Sequence, residues 1–485
     1  MKKNILLYMV MLLVFGAGSW YIMRAGSYPL PSQAVSEKGI EPRIHPSPSL
    51  QSNDVRTESE SLSGSLKEKL HGPLSILLLQ IIIIILAARV VGDLFVKIGQ
   101  PAVIGEMIAG ILLGPSVLGF FSPATMGFLF PSSSMEILKL LSQIGVIIFM
   151  FIVGMEINTR YLREKAQAAI IISHASILVP FFLGAVLSLF IYPYLSDPNI
   201  AFNSFALFIG TAMSITAFPV LARIIEERGL SKSSLGSIAI ACAAVDDATA
   251  WCMLAVVVAL ARANALATTV LTITLALLFT GLMLTVLKPW FERLIKNDGE
   301  NGMRSRGWMA CLLAFVFASA WLTEIIGIHA LFGAFLAGVA MPSSAEIRSF
   351  LKEKLETFNT AALLPLFFAF TGLRTQLNLL NDLQSWLLCG AVIAVAIAGK
   401  LGGSTLAARW TGMNWRDSFS IGALMNTRGL VELIVLNIGY DLGVLPARIF
   451  AVLVLMALVT TLMTGPLLSL TRLGAQPGTL LASKC

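Results

Sequence analysis

Residues 239–258 read AIACAAVDDATAWCMLAVVV, with the adjacent acids Asp246 and Asp247 in the middle of an otherwise apolar run. More than two helical turns of small and apolar residues flank the pair on each side, so the acids do not mark a helix end near water. An ionised carboxylate at the centre of a membrane helix costs at least ~2.5–3.5 kcal/mol on insertion scales. Two in succession point to chemistry rather than packing. Successive residues on a helix point about 100° apart, from ~3.6 residues per turn. The two carboxylates therefore face different neighbours.

Intramembrane ionisable groups tend to pair. The natural partner is Lys400, inside AVIAVAIAGKLGGSTLAARW, residues 391–410. One acid can hold this lysine while the other faces a cavity. That second carboxylate can be neutralised by a proton or by a small hard cation such as Na⁺, since oxygen ligands suit both. Mutually exclusive occupancy would then give exchange, provided the empty state cannot cross the bilayer.

The rest of the chain fits a polytopic all-α membrane protein. Of 485 residues 56% are hydrophobic and only 13% charged, against ~25% charged in soluble domains; mean hydropathy is +0.83. This excludes a disordered chain, a secreted disulfide scaffold and a nucleic-acid binder. The net charge of +7 does not imply nucleic acid, because membrane proteins collect Lys and Arg in cytoplasmic loops. Cys242, Cys252, Cys311, Cys389 and Cys485 lack paired metal spacing and read as small hydrophobic residues. No cofactor is expected.

Lys2 and Lys3 precede an apolar run ending near Met23, a signal peptide or, by its length, a signal anchor at 1–23. Residues 24–72 are rich in Ser, Pro, Glu and Lys and read as a disordered extracytoplasmic linker. The transmembrane domain is expected at 73–472 and a short cytoplasmic tail at 473–485. About thirteen apolar spans are expected, at 73–92, 101–119, 136–156, 167–192, 203–225, 233–261, 268–287, 307–326, 328–341, 356–372, 384–409, 417–439 and 448–472. They are too long and continuous for barrel strands. With Lys2 and Lys3 inside, alternate loops carry Lys97; Arg160, Arg163 and Lys165; Arg223, Arg228 and Lys232; Lys288, Arg293, Lys296, Arg304 and Arg306; Arg348, Lys352 and Lys354; Arg409 and Arg416; and Arg472 and Lys484. The opposite loops after the linker hold little beyond Arg262, Arg374 and Arg448. That asymmetry sets the orientation, with the C-terminus cytoplasmic.

The chain also echoes itself. IGVIIFMFIVGMEINTRYL (144–162) resembles LLPLFFAFTGLRTQL (363–377), and TAMSITAFPVLARI (211–224) parallels ALMNTRGLVELIV (423–435). Six spans, one connector and six more place the halves in opposite orientation, an inverted repeat of the kind found in secondary transporters. Each half has a polar break in mid-membrane: Ser214, Thr216 and Pro219 in the first, Asn426, Thr427, Arg428 and Gly429 in the second. Broken helices expose unpaired carbonyls and amides, and Arg428 and Glu432 can offset those ends. Glu106 is a possible accessory at a helix start. Glu156 and Arg374 fall at repeat-related span ends and read as caps. His174, Glu324 and His329 are as readily structural as functional, and the Gly-rich stretch 105–119 reads as close helix packing.

Seven stretches together resemble the monovalent cation:proton antiporter family, which includes Kef-type proteins, NapA-like Na⁺/H⁺ exchangers and plant CHX exchangers. They are GQPAVIGEMIAGILLGPSVLG (99–119), GVIIFMFIVGMEI (145–157), SITAFPVLARIIEE (214–227), DDATAW (246–251), HALFGAFLAGVAMP (329–342), LLPLFFAFTGLRT (363–375) and MNTRGLVELIVLNIG (425–439). The resemblance implies a thirteen-helix inverted-repeat fold with two crossed broken helices, an ion-binding core domain, a dimerisation domain, an elevator-like movement and a homodimer. By motif position it makes Asp247 the ion- and proton-binding acid and Asp246 the acid that pairs with Lys400. Ser214, Thr216, Asn426 and Thr427 match the unwound segments, and Arg428 with Glu432 matches the charged pair beside the second break. The double acid departs from Kef-type proteins, which carry an amide before the acid, and no C-terminal nucleotide-binding domain of the Kef kind is expected. The double acid resembles electrogenic Na⁺/H⁺ exchangers, whereas the last motif resembles K⁺-preferring relatives. The expected activity is antiport of Na⁺ or K⁺ against H⁺ by a multi-pass protein of a bacterial inner membrane, a transporter and not an enzyme. A K⁺ efflux exchanger or channel-like K⁺ pathway and a non-transporting membrane sensor are the alternatives.

Overall fold

The structure, a computed structural model, describes residues 2–26, 72–156, 166–196, 200–230, 233–262, 266–294, 306–342 and 344–471. The expected linker (apart from its ends), the expected tail and basic loop residues such as Arg160, Arg163 and Lys165 lie outside them.

All regular structure among the described residues is helical. The chain runs α1 Lys2–Gly26, α2 Pro73–Lys97, α3 Ala102–Leu113, α4 Ser132–Glu156, α5 Ala166–Leu195, α6 Phe202–Ser214, α7 Phe218–Glu227, α8 Ser234–Arg262, α9 Leu266–Leu282, α10 Arg306–Ile326 and α11 Ala330–Val339. It continues with α12 Ala345–Phe358, α13 Leu364–Arg374, α14 Leu383–Ile397, α15 Gly403–Trp410, α16 Trp415–Met425, α17 Leu430–Asp441 and α18 Ala447–Leu470. Helices are forced on apolar runs of this length because lipid supplies no partners for backbone N–H and C=O groups.

Among the described residues nine helices are long and apolar enough to cross a membrane, and α16 with α17, bent by 42°, makes up to ten. The thirteen expected from sequence include three more stretches where the helix is interrupted or short. The span at 203–225 splits into α6 and α7 after Ser214; the one at 328–341 holds the ten-residue α11. The span at 356–372 passes through a π-helical turn, Asn359–Leu363, before the eleven-residue α13. Of the thirteen expected, six precede α9 and six follow it.

The helices sort into two bundles. In the first, here the flanking bundle, α3 packs on α2 and α13, α4 on α11 and α13, and α10 on α11. In the second, the crossing bundle, α5 packs on α6, α8 and α15, while α16 meets α8, α15 and α18, and α17 lies on α6 and α18. An apolar core continues from one to the other, with Phe151, Phe335 and Phe367 on one side and Phe205, Val435 and Phe450 on the other. The Gly-rich stretch is a packing surface: Gly110 of α3 and Gly372 of α13 lie against each other's helix backbones, where a Cβ on either would collide with main-chain atoms. The N-terminal helix α1 lies on the outside of the crossing bundle. Phe15 meets Phe182 of α5 edge-on at 5.4 Å, and Ile22 is buried with Phe202.

Candidate functional site

The two broken helices cross and are stitched together at their breaks. The Ala217 amide, orphaned between α6 and α7, donates to the Thr427 carbonyl (3.0 Å), and Thr216 Oγ1 donates to the Met425 carbonyl (3.2 Å). Such crossings are tolerated at membrane depth only when the freed backbone groups find partners within the protein.

The carbonyl end of α6 carries the negative pole of its dipole and the helix's last carbonyls, which lack intrahelical partners. Two buried cations meet them. Arg428 donates through Nη1 to the Ala212 carbonyl (2.7 Å) and through Nη2 to the Met213 carbonyl (2.6 Å). Lys400 Nζ donates to the Ser214 carbonyl at 2.5 Å. Arg428 Nη1 is also 3.2 Å from Glu432 Oε1, in the first turn of α17, where a negative charge complements the amide end of the helix.

Lys400 sits in a π-helical turn, Ala398–Gly402, between α14 and α15. Its three donor positions are used by the Ser214 carbonyl, the Ser176 carbonyl (2.9 Å) and Asp246 Oδ2 (3.1 Å). Asp246 is enclosed by hydroxyls as well. Ser173 Oγ donates to its Oδ1 at 2.5 Å, while Ser176 Oγ (2.9 Å) and Thr216 Oγ1 (2.7 Å) donate to Oδ2. A buried carboxylate can be held charged only with this kind of paired and hydrogen-bonded shell. Asp247, the next residue of α8, is also buried, at 1% exposure.

The other residues singled out by sequence have definite places. Ser214 contributes its carbonyl to Lys400, whereas its hydroxyl turns back to the Thr211 carbonyl (2.8 Å). Asn426 Nδ2 reaches the Thr460 carbonyl (3.4 Å), and its Oδ1 is buried without a hydrogen-bond donor. Thr427 Oγ1 lies 3.4 Å from Thr464 Oγ1. Pro219 is in the first turn of α7. Glu106 is in α3 of the flanking bundle, its side chain beside Gly92 of α2. Glu324 Oε2 and His329 Nδ1 accept from the Ala330 and Leu331 amides, so both cap the start of α11. His174 lies on α5 with Nδ1 2.8 Å from the Ile170 carbonyl. Arg374, expected as a cap, is the basic residue in the last turn of its own helix and also reaches α17, where it donates to Asn437 Oδ1 (2.9 Å) and Asp441. The side chain of Glu156 lies outside the described residues.

Sequence reasoning missed Ser173 and Ser176 of α5, which sit three residues apart and share one helix face, and Thr461 of α18. Thr461 Oγ1 accepts from the Arg428 amide (3.0 Å) and donates to its carbonyl (2.7 Å).

Residues 81–471 match the family described as sodium/hydrogen exchanger, transmembrane. The Na(+)/H(+) antiporter NhaS4 of Synechocystis is 46% identical over 395 residues, covering 81% of this chain and 96% of that protein. Cation/H(+) antiporter 17 of Arabidopsis thaliana is 40% identical, and K(+)/H(+) antiporter 1 of Saccharomyces cerevisiae 34%, each alignment covering 82% of this chain. The chain spans about half the length of these two relatives, 48% and 46% respectively. Among solved structures the sodium proton antiporter MjNhaP1 of Methanocaldococcus jannaschii shares the fold, with a TM-score of 0.60 at 15% identity over 84% of this chain and all of that one. With its crossed broken helices, its buried acid–lysine pair and a match over most of its length, the chain belongs to the sodium/hydrogen exchanger family of membrane cation–proton antiporters.

Proposed function

We propose that the protein exchanges Na⁺ or K⁺ for protons by alternating access, with Asp247 binding the cation and the proton in turn. The observation that carries this reading is the cluster of buried charges at the crossing. Lys400, Arg428, Asp246, Glu432 and Asp247 are all at most 1% exposed. Lys400 pairs with Asp246 and Arg428 with Glu432, and Asp247, the adjacent acid of α8, is the carboxylate that this reading gives to the exchanged ion. One monovalent cation or one proton neutralises it, and the charge cost of crossing the bilayer falls only when one of them is bound. Asn426 Oδ1, a buried oxygen acceptor at the second break, is a neutral ligand suited to a hard cation.

The identity of the cation is open between the two ions in the relatives' names, Na⁺ in the Synechocystis protein and K⁺ in the yeast one. The remaining parts of the reading are a homodimer in a bacterial inner membrane with the C-terminus cytoplasmic, as the basic loops indicate.

Everted membrane vesicles with a pH-sensitive dye test it. After energisation, addition of Na⁺, K⁺ or Li⁺ separately is expected to dissipate the proton gradient for at least one ion. Asp247→Ala, made at parental levels, is expected to abolish the response. Equal exchange by the Asp247→Ala protein would sink the assignment. Saturable exchange with the membrane potential clamped to zero separates antiport from a channel-like pathway.

A further inference from the structure

We propose that Lys139, Arg374, Asn437 and Asp441 form a polar clasp that joins the two bundles at one face of the molecule and opens in every transport cycle. The proposal rests on the alternating-access reading above.

The four residues lie on both sides of the bundle boundary. Asn437 and Asp441 are on α17, part of the crossing bundle; Lys139 is on α4 and Arg374 on α13, both in the flanking bundle. Asp441 takes a cation on each oxygen, Lys139 Nζ on Oδ2 at 3.2 Å and Arg374 Nη2 on Oδ1. Arg374 Nη1 donates to Asn437 Oδ1 (2.9 Å), and Asn437 Nδ2 donates to Thr371 Oγ1 of α13 (2.8 Å). The Arg374 guanidinium also lies 4.3 Å from the ring centroid of Tyr440, a further attraction to α17.

Two features mark this as a device that opens and closes. The first is intermediate burial: the side chains of Lys139, Arg374 and Asp441 are 24%, 15% and 23% exposed. Water reaches the pair, so separation does not strand a dry charge, whereas breaking a fully buried pair does. The second is a cavity of about 420 Å³ beside it, lined by Glu136, Lys139, Gln143, Glu324, His329 and Asp441 among others. The cavity also includes Ile438 of α17, so it lies on the seam between the bundles. The basic-loop pattern assigns this face to the outside.

The helix α17 links the clasp to the ion site. Its twelve residues span about 18 Å, from the break beside Arg428 and Glu432 to Asp441. Holding the outer end of α17 against α4 and α13 holds the break at a fixed depth relative to the flanking bundle. Movement of the crossing bundle along that seam requires the clasp to part.

The test uses the full chain with its native cysteines replaced by serine and Ile438→Cys as the reporter. A membrane-impermeant maleimide measures access to the seam and does not depend on exchange. If the clasp restrains α17, Asp441→Asn is expected to raise the labelling rate about threefold or more, and Asp441→Glu, which keeps the charge, to restore it. In a second variant, Lys139→Cys with Asp441→Cys, a short bis-methanethiosulfonate joins the two helices. Bridging is expected to lower cation–proton exchange about tenfold or more, reversibly on reduction, because the bundles can no longer slide. Unchanged labelling in Asp441→Asn would overturn the proposal, and so would full exchange by quantitatively bridged protein. Because labelling needs no transport, failure of the antiport reading leaves the first arm intact.

Discussion

Two regions of the molecule pair charges in opposite ways. At the crossing of the broken helices, Lys400, Asp246, Arg428 and Glu432 are fully buried, and their ion pairs close at 3.1 and 3.2 Å. At the opposite extreme, Arg448 and Asp382 meet at 3.0 Å with side chains 35% and 50% exposed. The distances are nearly the same; the environments are not. A buried pair repays its desolvation through the further hydrogen bonds its members make, and loss of one partner then costs several kcal/mol. An exposed pair is screened by water and is worth a fraction of that. Distance therefore says little about which ion pairs hold the structure. The count of further donors and acceptors around each pair says more. Lys400 and Asp246 are joined by three hydroxyls and two carbonyls, and Arg428 closes two carbonyls of α6.

The largest effect should come from Arg428→Met. It removes a cation that compensates Glu432 and two helix-end carbonyls at once, so the cost is set by an uncompensated buried charge, about 3–5 kcal/mol. The expected result is a sharp fall in folded, monodisperse protein after detergent extraction and a lower melting temperature in what remains. A melting curve matching that of the parent would show that the crossing does not depend on this cation.

Lys400→Met should cost less, about 2–3 kcal/mol, because Ser173, Ser176 and Thr216 still donate to Asp246. Adding Asp246→Asn to Lys400→Met should recover part of that loss, since the stranded charge is removed along with its partner. If the double variant melts no higher than the single one, charge compensation is not what Lys400 supplies.

The same contrast explains what could be read from the sequence. Charges in long apolar runs stand out against their neighbours, so Asp246, Asp247 and Lys400 are conspicuous, and a Pro or an Asn-Thr-Arg-Gly set inside a span marks a break. Their partners are not conspicuous. Serines and threonines are common in membrane helices, where their hydroxyls return to the carbonyl four residues back, as Thr211 does to Leu207 at 2.7 Å. Nothing in the sequence separates Ser173 and Ser176, which face a carboxylate, from such residues. The π-helical turn that carries Lys400 leaves no composition signal either, and Ser214 acts through its backbone, which no residue type encodes. Arg374 was visible as a charge at a span end. Its reach to Asp441, 67 residues away, depends on how the two bundles meet, which is set by tertiary packing.

The smallest effect belongs to the exposed pair, and it carries a pH signature. Asp382 caps the start of α14: its Oδ1 accepts from the Ser385 hydroxyl and from the Ser385 amide (3.0 Å), and Arg448 stands beside it. These bonds, the Ser385 hydroxyl first and then its amide and Arg448, hold the carboxyl below the ordinary carboxylate range. A carboxyl whose folded-state pKa is depressed stabilises the fold above its unfolded pKa, near ~3.9 for Asp, and loses that contribution as pH falls through the folded value. The difference in melting temperature between the parent and Asp382→Ala should therefore be small and constant at neutral pH, then narrow as the pH drops below about 4. At neutral pH, added salt should remove the share owed to Arg448 and leave the share owed to the Ser385 amide. A difference as large as that of Lys400→Met would mean that exposure is a poor guide to the worth of ion pairs here, and the contrast between crossing and rim would fail.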